Sequence, residues 1–156
     1  MGTTQNGGTS MGGNIFRITS SGVLTSLYSF CSQGVSCPDG SQPYAPLVQA
    51  TDGDLYGTTE QGGASNEGTV FSLSLGLRPF VTALPTSGAA GATVKILGTD
   101  LTGATAVTFN GTTAKFTVVQ KTEIEATVPA GATTGRIKVA TPDGTLSSNV
   151  AFRVRP

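Results

Sequence analysis

Residues 104–116 read ATAVTFNGTTAKF, and this stretch decides how the second half of the chain folds. Val107 and Phe109 sit two apart with Thr108 between them. They run into Asn110-Gly111, and Ala114 and Phe116 resume the alternation on the far side. Side chains two apart on a strand share a face, so this is a strand with one apolar side. Asn-Gly supplies the two positive-φ positions of a tight hairpin turn. The same texture continues outward. Val94 and Ile96 alternate with Lys95. Ile124, Ala126 and Val128 alternate with Glu123, Glu125 and Thr127. Ile137 and Val139 alternate with Arg136 and Lys138, and Val150, Phe152 and Val154 follow the turn Pro142-Asp143-Gly144. With an opening strand around Phe80–Leu84, about seven strands fall within 79–156, the count and spacing of an immunoglobulin-like β-sandwich.

The first half repeats itself. Residues 2–19, GTTQNGGTSMGGNIFRIT, return 55 positions later as residues 57–74, GTTEQGGASNEGTVFSLS. Gly2, Thr3, Thr4, Gly7, Gly8, Ser10, Gly13 and Phe16 recur as Gly57, Thr58, Thr59, Gly62, Gly63, Ser65, Gly68 and Phe71, and Ile15 and Ile18 become Val70 and Leu73. A period near 50 residues with short strands is the pattern of a propeller-type array. The runs PLVQAT (46–51), DLYGTT (54–59), GTVFSLS (68–74) and VLTSLYSF (23–30) predict antiparallel four-stranded units. The fold class expected is all-β: a partial β-propeller-type repeat over 1–78, then the sandwich over 79–156. Fewer than two periods are present, so a fragment of a longer array is expected, with open sheet edges that invite self-association. The Gly pairs Gly7-Gly8 and Gly62-Gly63 predict positive φ or close backbone approach in equivalent loops.

Charge supports a boundary near Leu77–Phe80. Residues 1–78 hold two basic and five acidic side chains, and residues 79–156 hold seven basic and four acidic ones, so the formal net charge is zero. Neither half is basic enough to predict nucleic-acid binding. No apolar run approaches the 18 residues of a membrane span, and no secretory signal opens the chain. The chain has no His, which leaves no Ser-His-Asp or Cys-His arrangement and no His-based metal site. No cofactor is expected and the chain reads as non-enzymatic.

Cys31 and Cys37 flank a short loop and predict a disulfide formed in an oxidising compartment. Asp52 and Asp54 read as turn residues rather than calcium ligands. Glu123 and Glu125 read as solvated partners of Lys95 rather than a general acid/base pair. Asn110-Gly111-Thr112 matches a glycosylation sequon that the hairpin turn already explains. If the last two strands are antiparallel neighbours, Arg136, Lys138, Arg153 and Arg155 share one sheet face, with Lys115 alongside. They then offer a patch for an anionic glycan, a cell-wall polymer or the acidic half of the chain.

Two family resemblances bear on these readings. Residues 1–76 resemble the GloVer-type tandem repeat of bacterial choice-of-anchor surface proteins, through SSGVLTSLYSF, DGSQPYAPL and APLVQATDGDLYGTTEQGGASNEGTVFSLS. The resemblance implies an exported or surface-displayed array with no known chemistry. Residues 79–156 resemble the IPT/TIG immunoglobulin-like domains, through PTSGAAGATVKILGTDL (85–101), ATAVTFNGTTAKF (104–116) and VPAGATTGRIKVATPDGTLSSNVAFRV (128–154). This second resemblance implies a spacer or binding module of an extracellular protein. The function expected is a non-catalytic bacterial extracellular or cell-surface binding or adhesion protein fragment. The partners expected are a cell-surface glycan or other domains of a longer chain. The alternative is an accessory, carbohydrate-binding region of a secreted polysaccharide-active enzyme. A third reading is a propeller enzyme whose active residues lie outside this chain.

Overall fold

A computed structural model describes residues 1–34 and 36–156. It is built from strands, with one three-residue 3-10 turn, Leu101–Gly103, as the helical element among the described residues. None of the described helices is long and apolar enough to cross a membrane. The chain divides into two compact units, one comprising Met1–Ala50 with Asp54–Leu75, the other Thr51–Gly53 with Gly76–Pro156.

The first unit holds two antiparallel sheets of three strands. β1 (Gly2–Thr4), β2 (Asn14–Ile18) and β3 (Leu24–Ser29) form one; β4 (Val48–Gln49), β5 (Leu55–Thr58) and β6 (Val70–Leu73) form the other. The 55-residue self-similarity is reproduced atom pair by atom pair. Gly2 lies opposite Phe16 and Thr3 opposite Ile15, as Gly57 lies opposite Phe71 and Thr58 opposite Val70. The Gly13 N–H donates to the Gly7 carbonyl at 3.0 Å, and Gly68 repeats the bond to Gly62 at 3.0 Å. The Asn14 N–H donates to Thr4 Oγ1, and Thr69 repeats that bond to Thr59 Oγ1. Gly7 and Gly8 have φ of +96° and +76°, and Gly62 and Gly63 have +81° and +75°.

The expected four-stranded unit is corrected here. Among the described residues each sheet has three strands and neither closes on itself. VLTSLYSF supplies β3, which pairs with β2 and not with the second sheet. Among the described residues the second sheet has no counterpart of β3, because the chain runs from β6 into the second unit instead of turning back along it.

The second unit is a sandwich. β7 (Thr82–Leu84), β8 (Ser87–Ala89), β9 (Thr93–Leu97), β10 (Ala106–Phe109), β11 (Thr112–Thr113), β12 (Phe116–Gln120), β13 (Glu123–Thr127), β14 (Ile137–Thr141), β15 (Gly144–Ser147) and β16 (Arg153–Arg155) follow in order. The two four-stranded sheets are ordered β11-β10-β14-β15 and β12-β13-β9-β7. Asn110 and Gly111, at φ of +46° and +91°, close the β10–β11 hairpin. Val107 and Phe109 of β10 and Ile137 and Val139 of β14 share one core with Val94 and Ile96 of β9 and Ile124 and Ala126 of β13. Burying each large aliphatic or aromatic side chain contributes about 1.5–3 kcal/mol. The alternation that hides these residues leaves Lys95, Glu125 and Lys138 in solvent.

The expected pairing of the last two strands is also corrected. β14 takes β10 on one side and β15 on the other, and β16 pairs in parallel with β8. The cause is residues 144–147, GTLS. They return along β14 after the two-residue loop Pro142-Asp143 and occupy the edge that β16 was expected to fill. The chain entering β16 stays linked to the segment before β14: Gly135 and Phe152 exchange backbone hydrogen bonds, and the Val154 N–H donates to Thr134 Oγ1 at 3.0 Å.

Candidate functional site

The most built-up site lies in the first unit, around Asp39. Cys31 and Cys37 are joined by a disulfide, and the turn that follows is closed by the Gly40 N–H donating to the Cys37 carbonyl at 2.9 Å. The same carbonyl accepts from the Gly63 N–H at 2.9 Å, and Ser41 and Gln61 exchange backbone bonds of 2.8 and 3.1 Å. Gly40 has φ of +93°, and a Cβ there would lie 2.4 Å from Thr59 Oγ1. The turn thus packs directly on the repeated Thr-Gly loop. Asp39 sits in this turn with its side chain against the end of β3.

Tyr28 Oη donates to Asp39 Oδ2 at 2.9 Å. Asp39 Oδ1 is buried and accepts no hydrogen bond among the described residues. Burial pushes the Tyr28 phenol above its usual pKa, and the hydrogen bond and negative charge of Asp39 push it the same way. The Phe30 ring meets Tyr28 edge-on at 5.1 Å and Phe71 of the second sheet at 4.9 Å. Around these groups lies a pocket of about 340 Å³ whose walls include Ile15, Tyr28, Phe30, Asp39, Phe71 and Leu73. A carboxylate set among aromatic and aliphatic walls suits a ligand that combines hydroxyl or N–H donors with an apolar face.

Of this site the sequence reading had named the disulfide pair. It assigned no role to Asp39 or Tyr28. The local signal was the string Cys-Pro-Asp-Gly (37–40), which forces a tight turn and so a carboxylate at a fixed place.

The four basic residues are all exposed, but they do not share a sheet. Arg136 Nη1 donates to the Ser148 carbonyl, Lys138 lies on β14 between Thr108 and Ser147, and Arg153 and Arg155 lie on β16 beside Ser87 and Ala89. Lys115 is exposed in the segment between β11 and β12. Glu125 lies opposite Lys95, while Lys95 Nζ donates diagonally to Glu123 Oε1 at 2.8 Å. That bond and the Glu123 charge raise the Lys95 pKa. Around Asp52 and Asp54 the Ala50 N–H donates to the Asp54 carbonyl, which closes the β4–β5 turn. Among the described residues no three Cys, Asp or Glu side chains gather as they would around a metal ion.

Comparison with known proteins adds the following. Three solved structures are similar to part of this chain. One is an auxiliary nutrient binding protein from Bacteroides ovatus ATCC 8483, at 24% identity and a TM-score of 0.42 over 49% of this chain and 21% of that one. Another is a γ-CGTase from alkalophilic Bacillus clarkii, at 20% identity and 0.40 over 76% and 18%. The third is SGBP-B of a Bacteroides ovatus mixed-linkage glucan utilization locus, in complex with a mixed-linkage heptasaccharide, at 20% and 0.40 over 78% and 34%. The alignments therefore span 18–34% of the length of these proteins. No curated protein matches the chain. The profile of the IPT/TIG domain family matches residues 79–154. These domains are non-catalytic immunoglobulin-like modules, and the paired sheets β11-β10-β14-β15 and β12-β13-β9-β7 lie within the matched span. Residues 79–154 are an IPT/TIG domain.

Proposed function

We propose that this chain is a non-catalytic glycan-binding protein of a bacterial surface or secretome. In this reading the first unit carries the binding pocket and the IPT/TIG domain acts as spacer or second module. The observation that carries it is one pocket that sets the Asp39 carboxylate beside a phenol and two phenylalanine rings. A sugar ring offers the complementary surface, with hydroxyl donors around its rim and C–H groups across its face. The disulfide fits an oxidising, extracellular compartment. The propeller-type reading of residues 1–78 belongs to the same proposal, as the framework on which such pockets would recur. The basic residues give it less support, because β14 and β16 lie in different sheets.

An accessory region of a polysaccharide-active enzyme would use the same pocket. The two readings part on whether a catalytic domain is encoded in the same polypeptide.

The test is isothermal titration of the full chain, wild type and Asp39→Asn, with soluble neutral glucans and with an anionic polysaccharide. A hydrogen bond to a charged group contributes about 1.5–3 kcal/mol, so Asp39→Asn is expected to weaken neutral-glycan binding about 10- to 100-fold. Undiminished binding by Asp39→Asn would remove Asp39 from the site. Binding of the anionic polymer alone would move the function to the basic residues.

A further inference from the structure

Within the first unit, side chains alternate faces along each strand, and each sheet has one covered face and one open one. In the first sheet Ile15, Thr3 and Tyr28 point to the covered side. Ile15 is 1% exposed, whereas Ile18 and Leu24, opposite each other on the other face, are 52% and 61% exposed. In the second sheet the assignment is reversed. Leu55, Phe71 and Leu73 are buried or half-buried, whereas Val70 and Val48 on the other face are 78% and 65% exposed. The covered faces meet within the unit, where Phe30 packs edge-on against Phe71, and Ile15 and Tyr28 line one pocket with Phe71 and Leu73.

The 55-residue equivalence turns this into a rule of assembly. Val70 is the counterpart of Ile15, so the open face of the second sheet is of the kind that the first sheet buries. Ile18 is the counterpart of Leu73, and Phe16 of Phe71, so the open face of the first sheet is of the kind that the second sheet buries. Each molecule thus exposes both halves of an interface that it has already formed once internally.

We propose that these two faces dock on each other between copies of this chain. The Val48/Val70 face of one copy would cover the Ile18/Leu24 face of the next, in the geometry that joins the two sheets inside each copy. The contact is heterologous, so repeated addition gives a closed ring or an open filament, according to the rotation per step.

The experiment is sedimentation velocity on the intact chain from micromolar to about 1 mM, where even a millimolar Kd would be visible. Three samples are compared with wild type: Val70→Lys, Ile18→Lys, and their equimolar mixture. Both positions are open to solvent, so the folded unit accommodates the lysines, and circular dichroism checks this. Wild type is expected above the 15.7 kDa monomer mass and to grow with concentration. Each variant alone lacks one of the two faces and is expected at the monomer mass. The mixture is expected to form a dimer and stop there, because each variant supplies the face that the other lacks. A monomeric wild type at the highest concentration, a variant that still assembles alone, or a mixture that stays monomeric would each overturn the proposal.

Discussion

Gly68→Ala tests the repeated loop most directly. Gly68 has φ of +88°, and a Cβ there would sit 2.2 Å from the Thr59 carbonyl oxygen and 3.1 Å from that of Glu60. The obstacle is backbone, and it cannot swing away. The Thr59 N–H is bonded to the Thr69 carbonyl at 2.9 Å, and Thr59 Oγ1 accepts from the Thr69 N–H at 2.9 Å. Placing an L side chain in the left-handed region costs about 1–2 kcal/mol, and forcing an atom into a filled space costs about 1–3 kcal/mol more. Stiffening the unfolded chain returns about 0.4–1 kcal/mol. The net expected loss is about 2–4 kcal/mol. The first unit has roughly 70 residues, so at about 0.05–0.15 kcal/mol per residue its whole stability is about 4–10 kcal/mol. The control is Gly7→Ala, with φ of +96° but nothing within 4 Å of the added Cβ. It bears the conformational cost alone, about 1 kcal/mol after the same offset. Urea denaturation followed by tyrosine fluorescence suits this comparison, because Tyr28, Tyr44 and Tyr56 all belong to the first unit. With a slope of about 1–2 kcal/mol per molar urea, Gly68→Ala is expected to lower the midpoint by about 2 M, and Gly7→Ala by about 0.5–1 M. Gly13→Ala, whose Cβ would lie 2.4 Å from the Thr4 carbonyl oxygen, is expected to behave like Gly68→Ala. Equal midpoints for Gly68→Ala and Gly7→Ala would refute the claim that close backbone approach, rather than φ alone, requires the glycine.

Two further outcomes are expected. Reducing the Cys31–Cys37 bond releases a cross-link between residues six apart, which lowers stability by about 2 kcal/mol on the loop-entropy relation. The same tyrosine-monitored urea curve with and without reductant measures it, and coincident curves would show that the disulfide does not constrain the unit. Tyr28 holds its proton more tightly folded than unfolded, so its stabilising contribution is complete below pH about 10 and is lost as pH climbs through the raised folded value. In an absorbance titration of the phenols, Tyr28→Phe is expected to delete a late-ionising component. Asp39→Asn should move that component down without abolishing its shift, since burial is the larger cause; an unchanged profile in Tyr28→Phe would contradict this.

What the sequence disclosed follows the range over which its physics acts. The β10–β11 hairpin was legible because Asn110-Gly111 sets two positive φ angles locally, and Val107 and Phe109 mark the buried face without reference to anything else. β15 was not, because GTLS has one apolar side chain and becomes a strand only through pairing with β14. Missing it misplaced β16 and with it the basic patch. The Asp39 site was harder still. The carboxylate's turn is local, but its meaning comes from Tyr28 eleven residues before it and Phe71 thirty-two residues after it, which meet it only when the two sheets pack.

The repeat marks the limit of local reading. Ile15 and Val70 occupy one place in one pattern, opposite Thr3 and Thr58 in matching registers, and each is a β-branched side chain on a β-strand. Yet one is sealed and the other is the most open large apolar residue of its sheet. Nothing in either segment distinguishes them; the difference is whether another sheet lies on top. Burial in a repeat is a property of neighbours, and the hydrophobic term that stabilises Ile15 is, at Val70, a driving force not yet spent. A β-branched residue in that position without a covering sheet leaves apolar area in water at about 25 cal/mol per Å². The cheapest surface able to relieve it is the one to which its counterpart is already fitted, which is why a second copy, rather than an unrelated protein, is the expected occupant.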